Sequence, residues 1–297
     1  MILAVTGITG HSGGFLLRQL IDNNFDGTLR CLVRASSNTR ALDASGLRVE
    51  KVTGGFDEPE ALDRLVRGAD TVVHIAGIWQ TPQLLAAIER AGGAGHVILI
   101  HTSGIYSKHK MASGVYKEIE EGLRPYLDGG MNITILRPTM IFGDMRDHNI
   151  SKFIRMVDRF PVMPEIDHGR AFVQPVNARD LGQAYYKAAM HQTLPESSYI
   201  CSGDRPVPIH ELCELIGQYL GKKVRFVSLP MGLGVFGARA VKALSFGKKD
   251  LVEKVLRLGE DRSFSHDSAA RDFGYEPEPF EIGLKREVEE YLAHGRS

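Results

Sequence analysis

The sequence has little of what marks secreted, metal-binding or disulfide-stapled proteins. Its 297 residues include only three cysteines, Cys31, Cys201 and Cys213, and no two of them have the spacing of a disulfide framework or a zinc site. The 11 histidines form no HxxxH pair, so we expect no metal site. Scattered, unpaired thiols are typical of a reducing compartment, which predicts a cytoplasmic protein.

An excess of charge of one sign is also absent. Lys plus Arg equal Asp plus Glu at 36 each, so no net field attracts nucleic acid or anionic lipid. The apolar run that starts at Met1 reaches glycine at Gly7, far short of the roughly 20 residues that a membrane span needs. We therefore expect a small-molecule substrate as the partner, with neither nucleic acid nor membrane.

Short apolar runs alternate with amphipathic segments through the first half of the chain. Near-continuous apolar strands that alternate with helices are typical of a parallel, doubly wound sheet, so the pattern predicts a Rossmann-like α/β fold. The runs are Ile2 to Val5, Leu29 to Val33, Val49 to Val52, Thr71 to Ile75, Val97 to Ile100 and Ile133 to Leu136.

The alternation fades after Pro138, and helical patterns dominate the rest. This change predicts a nucleotide-binding domain over residues 1–143 with a returning segment at about 171–202. Residues 144–170 and 203–297 are then expected to form a smaller, mostly helical substrate lobe. The apolar stretch from Met231 to Phe246 suggests a packing or association surface, so a homodimer is one expectation.

A glycine-rich loop lies between the first strand and the first helix. Gly7, Gly10 and Gly13 have the spacing TGxxGxxG, which predicts a tight turn, close approach of the backbone to a pyrophosphate, and close helix packing. The helix N-terminus that follows offers free N–H groups to phosphate oxygens. The remaining cofactor-binding candidates in the loop are Thr9, His11 and Ser12, of which His11 and Ser12 either donate to phosphate or cap the helix.

The residue after the second strand indicates which dinucleotide binds. An acidic residue there would accept hydrogen bonds from the ribose hydroxyls of NAD, but this sequence has Arg34, followed by Ser36. A guanidinium can grip a 2′-phosphate in bidentate fashion and stack on adenine, and a serine hydroxyl can add a donor. The sequence therefore predicts NADP(H) over NAD(H); the alternative is that Arg34 is only a solvated surface charge.

Motifs along nearly the whole chain resemble those of the extended, or atypical, short-chain dehydrogenase/reductase superfamily, which includes NAD(P)-dependent epimerases and dehydratases. They are Thr6 to Gly13, His74 to Gly77, Thr102 to Tyr106, Leu136 to Gly143, Gln174 to Leu181 and Ala269 to Pro277. The resemblance implies an oxidoreductase or epimerase-like enzyme that transfers hydride to or from an alcohol or carbonyl compound, with nucleotide sugars as one candidate class. It also implies that Ala76, Gly77 and Pro138 lie beside the cofactor.

One departure from the family lies after the third strand. Gly55 occupies the position where the family often has an acidic residue that contacts adenine. We expect backbone groups and packing on Phe56 to hold the adenine instead.

The second departure concerns the catalytic residues. The resemblance makes Thr102 the hydroxyl that holds the substrate oxygen and Lys117 the lysine of the catalytic helix, but Ser113 stands where the family has its tyrosine. Tyr116 is adjacent to Lys117, and neighbours on a regular helix diverge by about 100 degrees.

Three alternatives stay open for the catalytic acid. A variant active site would use Tyr116 or Tyr106, whose YxxxK spacing to Lys110 we interpret as mostly chance; another acid such as His109 would serve; or the protein is a noncatalytic NADP(H)-binding sensor or assembly protein.

Overall fold

The computed structural model describes residues 1–160, 162–244 and 251–294. Within these ranges, only the backbone is described for Lys110, Met111, Ala112 and Ala243. Its strands are β1 (Ile2–Thr6), β2 (Thr28–Val33), β3 (Arg48–Thr53), β4 (Thr71–His74), β5 (His96–Ile100), β6 (Ile133–Pro138), β7 (Met140–Phe142), β8 (Val162–Ile166), β9 (Phe172–Val173), β10 (Pro175–Asn177), β11 (Ser198–Cys201), β12 (Val207–Pro208) and β13 (Arg225–Leu229).

Helices connect most of these strands. They are α1 (His11–Asp22), α2 (Arg40–Asp43), α3 (Pro59–Val66), α4 (Thr81–Arg90), α5 (Lys110–Glu121), α6 (Arg124–Asp128), α7 (Ile150–Arg159), α8 (Ala178–Ala189), α9 (Ile209–Leu220), α10 (Met231–Leu244), α11 (Val252–Arg257), α12 (Asp267–Phe273) and α13 (Phe280–His294). Of the helices described, none is both long and apolar enough to cross a bilayer.

The main sheet confirms the predicted fold class. In the described chain it has seven parallel strands in the order β11-β6-β5-β4-β1-β2-β3. The order of the strands across the sheet reverses between β1 and β4. Open α/β sheets bind their ligands at such a point, in the crevice at the carboxyl ends of the strands. The sheet is therefore doubly wound and Rossmann-like, with its ligand crevice at the glycine loop.

Helices cover both faces of this sheet, so every strand except β3 is largely buried. One apolar cluster contains Leu16 of α1, Leu181 of α8 and Tyr199 of β11. The other contains Leu65 of α3 and Leu84 of α4. The strand β11, far along the chain, pairs with β6 and so completes the sheet of the nucleotide-binding half.

A third apolar cluster lies in the second half of the chain. Helices α7, α9 and α13 contribute Ile154, Leu212 and Leu284 to it. Helices dominate this lobe, but three two-stranded sheets that the sequence did not predict also occur among the described residues: β7 with β10, β9 with β12, and β8 with β13. These strands have only two to five residues each, too few to show a clear period.

The crossing of α1 and α8 depends on a glycine, which gives a first prediction. A Cβ atom on Gly182 would lie 2.5 Å from the carbonyl carbon of Phe15, so Gly182→Ala should lower the free energy of unfolding by about 1–3 kcal/mol. Gly14 in α1 has nothing within 4 Å of its Cβ position, so Gly14→Ala is the matched control and should raise stability by about 0.5–1 kcal/mol. Urea unfolding followed by circular dichroism measures both. Equal effects of the two substitutions would contradict the close helix contact.

Candidate cofactor and substrate site

The glycine loop leaves no room for a side chain at Gly7 or Gly13. Gly7 has φ +78°, in the left-handed region, and a Cβ on it would lie 2.7 Å from the backbone nitrogen of Ala76. A Cβ on Gly13 would lie 2.1 Å from the carbonyl oxygen of Gly7. Gly10 precedes α1 and no side chain caps the helix, so the first N–H groups of α1 stay available to an anionic ligand.

A cleft of about 940 Å³ opens over this loop. Its size and its uncapped helix N-terminus fit a dinucleotide. The predicted residues that line it are Gly7, Thr9, Gly10, His11, Ser12, Gly13, Arg34, Phe56 and Ala76. Ser36 and Gly77 do not line this cleft, and Pro138 lines a second one.

Arg34 stands at the rim of the cofactor cleft. Its side chain is exposed, and within the described residues its guanidinium has no hydrogen-bond or ion-pair partner. Ser37, and not the predicted Ser36, lines the cleft; its Oγ accepts a hydrogen bond from the Arg34 amide at 3.1 Å. This bond bends the backbone back after β2 and brings the third residue after Arg34, not the second, to the cleft.

A buried histidine lies behind the lining of the cofactor cleft. The carbonyl of Gly77 can only accept, so the Nε2 of His74 donates to it at 3.0 Å. The Nδ1 of His74 then accepts from the Thr6 hydroxyl at 2.7 Å, and the Thr6 oxygen accepts from the Ala76 amide at 3.4 Å. Burial, and then the nearby His101, lowers the pKa of His74 to about 3, so this ring stays neutral.

The loop after β3 forms the end of the cleft beside Arg34. Gly54, Gly55 and Phe56 line it, and the Phe56 ring meets His74 edge-on at 5.5 Å between centroids. Asp57, which was not among the predicted residues, also lines the cleft. The signal was present: the acidic residue stands two positions after Gly55, where the family's acidic residue would be.

A second cleft of about 320 Å³ adjoins the first, since Ile141 and Asn149 line both. Its wall on the nucleotide-binding side includes Thr102, Tyr106 and Pro138. It is also lined by residues late in the chain that no sequence motif marks and that were not predicted: Arg257, Glu260, Asp261, Arg262 and Phe264.

Two of these residues make the second cleft suitable for an anion. The Nε atoms of Arg257 and Arg262 are buried and have no hydrogen-bond partner among the described residues. Burial, and then the neighbouring Arg257, lowers the pKa of Arg262 from its ordinary value. The carboxylate of Glu260 accepts from the Ser107 hydroxyl at 3.0 Å and the Lys108 amide at 2.7 Å, and its charge offsets part of the lowering of the Arg262 pKa.

The predicted catalytic residues do not all meet at this cleft. The Oγ1 of Thr102 lines it and accepts a hydrogen bond from the Gly104 amide at 3.0 Å. Tyr116 itself lines neither cleft; its ring packs against Trp79, which lines the cofactor cleft, at 5.4 Å between centroids, and its Cε2 atom lies 3.2 Å from the position of a Cβ on Gly104 of the second cleft. Lys117 is exposed and lines neither cleft.

Lys117 instead lines a separate surface depression with Ile105, Glu120 and Glu121. The regular helix α5 includes both Tyr116 and Lys117, so the divergence of about 100 degrees between neighbours applies. Ser113, at the family's tyrosine position, is buried and donates to the His109 carbonyl at 3.3 Å.

The other candidates for the acid are placed as follows. Tyr106 lines the second cleft with half of its surface exposed. The side chain of Lys110, its YxxxK partner, lies outside the described residues. His109 precedes α5 and lines none of the clefts described here.

A buried ion-pair network lies behind Thr102. Glu120 of α5 accepts from the Nε of Arg137 at 3.1 Å and from the Nδ1 of His101 at 3.0 Å. The Nε2 of the same imidazole contacts the Thr81 hydroxyl at 3.2 Å. Burial raises the pKa of Glu120, but the hydrogen bonds from His101 and Arg137 outweigh it, and the pKa lies below its ordinary value. The network ties α5 to the ends of β5 and β6.

The doubly wound sheet, the glycine loop at its crevice and the adjoining second cleft define a nucleotide-binding protein of the Rossmann class. Comparison with known proteins agrees: residues 7–147 match the family described as NAD(P)H-binding. A nucleoside-diphosphate-sugar epimerase from Pseudomonas aeruginosa has the same fold, with a TM-score of 0.76 over 99% of this chain and 98% of that one at 18% identity. Residues 7–147 thus resemble an NAD(P)H-binding domain, and the chain as a whole has the Rossmann-like fold of this epimerase, in agreement with the predicted fold class.

Two curated relatives carry reductase names. A ceramide reductase from Caulobacter vibrioides is 29% identical over 174 residues, which are 55% of this chain and 53% of that protein. The match therefore spans about half the length of that relative. A (4-alkanoyl-5-oxo-2,5-dihydrofuran-3-yl)methyl phosphate reductase from Streptomyces griseus is 27% identical over 243 residues, which are 80% of this chain and 79% of that protein.

The pKa of Glu120 generates a pH-dependent prediction. A carboxyl whose pKa is lowered on folding stabilises the protein above its ordinary pKa and loses that contribution as the pH falls. Glu120→Gln leaves the buried charge of Arg137 unpaired, so the free energy of unfolding at pH 7 should fall by about 2–4 kcal/mol. The difference from the unmodified protein should shrink as the pH is lowered to about 4 and below.

Denaturant unfolding at several pH values measures this effect. Glu118→Gln, on the exposed side of the same helix, is the matched control and should change stability by less than about 0.5 kcal/mol. A Glu120→Gln deficit that stays constant with pH would contradict the ion-pair assignment.

Proposed function

We propose that the protein is an NADP(H)-dependent reductase whose substrate is a small carbonyl compound that carries an anionic group. The observation that carries the proposal is the pair of adjoining clefts, one over the glycine loop and one lined by Thr102, Arg257 and Arg262. A nicotinamide in the first cleft and a substrate in the second would meet at the shared boundary beside Ile141 and Asn149.

The preference for NADP(H) rests on Arg34. An exposed guanidinium at the cleft rim, without a carboxylate partner among the described residues, suits the 2′-phosphate of NADP(H), with which it would form charge-assisted hydrogen bonds. No acidic side chain takes the place of Arg34 at the end of β2 to accept from ribose hydroxyls. NAD(H) would gain nothing comparable from this guanidinium.

Thr102 is the proposed substrate-orienting residue. Its Oγ1 already accepts from the Gly104 amide, so its own hydroxyl proton can be donated to the carbonyl oxygen of a substrate. The nicotinamide, when bound, supplies the hydride that the carbonyl carbon accepts. Tyr116, between Trp79 and Gly104, is the proposed donor of the proton that the oxygen receives.

The anionic part of the substrate would contact Arg257 and Arg262. Their buried Nε–H groups have no hydrogen-bond acceptor among the described residues. A phosphate or carboxylate would provide acceptors for them. The reductase names of both curated relatives support the direction of the reaction, and the phosphate in the second name supports an anionic substrate. A nucleotide sugar remains one member of this class.

A noncatalytic, NADP(H)-binding protein is the second candidate. Ser113 at the family's tyrosine position and Lys117 outside both clefts favour it, since the usual pairing of phenol and ammonium is missing. Cofactor binding without turnover of any carbonyl substrate would support this candidate.

Cofactor titration tests the first part of the proposal. We expect NADPH to bind at least about tenfold more tightly than NADH, a difference of about 1.4 kcal/mol, and Arg34→Glu to remove this preference. Nicotinamide fluorescence on titration gives both dissociation constants. Arg40→Glu makes the same charge change six residues away, outside the cleft lining, and should preserve most of the preference. Equal affinity for the two cofactors in the unmodified protein would overturn the assignment of Arg34.

Turnover tests the catalytic residues. With NADPH and a panel of aldehydes and ketones, some of them phosphorylated, Thr102→Ala and Tyr116→Phe should each lower kcat by about 10²–10³-fold with little change in NADPH affinity. Lys117→Ala tests the lysine that the family resemblance assigns to catalysis. Because the Lys117 side chain lies outside both clefts, we expect its removal to lower kcat by less than about threefold. A loss for Lys117→Ala as large as that for Thr102→Ala would instead assign Lys117 to catalysis.

A further inference from the structure

The two clefts share one loop, which is formed by residues 143–149 between β7 and α7 and is termed the β7–α7 loop. Its residues that line the cofactor cleft are Arg146, Asp147, His148 and Asn149. Asn149 lines the second cleft as well. Toward the glycine loop, the Asp144 carboxylate lies 3.3 Å from the Nε2 of His11. The position of the β7–α7 loop therefore affects where a cofactor and a substrate can meet.

A fully buried carboxyl group of α13 contacts this loop. Glu287 is 0% exposed, and its Oε2 accepts a hydrogen bond from the Gly143 amide at 2.9 Å. Its Oε1 is buried too, and no N–H or O–H group of the described residues donates to it. The side chain in hydrogen-bonding contact with Glu287 is that of Asp147, which is itself 5% exposed. Two carboxyl groups thus meet where water has little access.

Only a shared proton makes this contact favourable, since two buried carboxylates would repel each other. The Lys and Arg side chains of the loop and of α13 pair with other groups: Arg146 with Asp144, Arg286 with Glu278 and Lys285 with Glu289. Asp147 accepts from the backbone amides of Asn149 and Ser151, and such bonds stabilise a carboxylate. The proton therefore belongs to Glu287, whose Oε1–H donates to Asp147.

The charges around Glu287 agree with this assignment. Burial, and then the hydrogen bond and charge of Asp147, raises the pKa of Glu287 well above its ordinary value; the Gly143 amide opposes this rise and Asp144 adds to it. Charged groups on the elements packed against α13 and on the loop have partners of their own. These pairs are Asp158 of α7 with Tyr291, Glu211 of α9 with Arg205, Glu278 with Asn177 of β10, and Asp144 with His11 and Arg146.

We propose that Glu287 is a positioning residue: as a neutral carboxylic acid it anchors the β7–α7 loop to α13 and so fixes the boundary between the cofactor and substrate clefts. It accepts from Gly143 at the start of the loop and donates to Asp147 near its end, so one side chain fixes two points. Ionisation would make it repel Asp147 and loosen the loop. The role in positioning ligands rests on the proposed function, whereas the anchoring itself does not.

Limited trypsin digestion tests the anchoring without any ligand. The loop contains Arg146, whose side chain is 65% exposed, and cleavage after it requires local opening of the backbone. Glu287→Gln keeps both hydrogen bonds, because its amide oxygen accepts and its NH₂ donates, whereas Glu287→Ala removes both. We expect cleavage after Arg146 to be at least about fivefold faster in Glu287→Ala than in the unmodified chain or in Glu287→Gln. Cleavage after the exposed Arg40 is the internal control and should be equal in all three.

Unfolding at several pH values tests the protonation state. An acid whose pKa is raised on folding contributes its full stability below its ordinary pKa and loses it as the pH rises toward the pKa of the folded state. Relative to Glu287→Gln, the unfolding equilibrium constant of the unmodified chain should therefore rise by up to about tenfold for each pH unit between about pH 6 and 9. Glu289→Gln, an exposed position on the same helix, is the matched control and should keep the pH dependence of the unmodified chain.

NADPH titration tests the effect on the cleft. At pH 7 we expect Glu287→Gln to bind NADPH within about twofold of the unmodified chain and folded Glu287→Ala to bind at least about fivefold more weakly. Unchanged affinity in folded Glu287→Ala would overturn the positioning role. Equal cleavage after Arg146 in all three chains, or parallel pH profiles for the unmodified chain and Glu287→Gln, would overturn the anchoring. An unmodified chain that binds no NADPH would instead overturn the proposed function, and digestion and unfolding would still decide whether Glu287 anchors the loop.

Discussion

The contact between the backbone of the glycine loop and the rest of the nucleotide-binding half constrains everything around the cleft. Gly7 and Gly13 bring β1 and α1 so close together that a methyl group at either position would overlap backbone atoms. This closeness aims the uncapped start of α1 at the crevice where the strand order reverses. The depth of the cofactor cleft and its charge preference both follow from that one turn.

Buried polar networks behind the two clefts keep their walls in place. Thr6, His74 and Gly77 form one chain of hydrogen bonds beneath the cofactor cleft, with the imidazole held neutral by burial. Glu120 joins Arg137 and His101 beneath the substrate side. Fully satisfied networks of this kind rigidify a site, since each broken bond would leave a buried polar group without a partner. The reacting groups proposed here, Thr102 among them, thus stand on a rigid support.

The catalytic helix shows where motif reasoning and geometry part. A match to the family places Lys117 at the site, but the helical period carries the side chain of Tyr116 toward Trp79 and that of Lys117 into a separate depression. Ser37 and Asp57 line the cofactor cleft, whereas the motifs predicted Ser36 and a contact on Phe56. A shift of one residue along a loop or helix changes the direction of the side chain. A match to a family motif is not precise to one residue, so it does not determine which side chain faces the cleft.

The sequence by itself determined the sheet, the glycine loop, the position of Arg34 after β2 and the resemblance to short-chain dehydrogenases/reductases, because these depend on local periods and short motifs. Only the tertiary structure decided that Arg257 and Arg262 line the same cleft as Thr102, which is far from them along the chain. It also decided that Leu233, Phe236 and Leu244 of α10 are exposed among the described residues. Contacts between distant segments arise from packing of whole elements, and no pattern within either segment encodes which partner it meets.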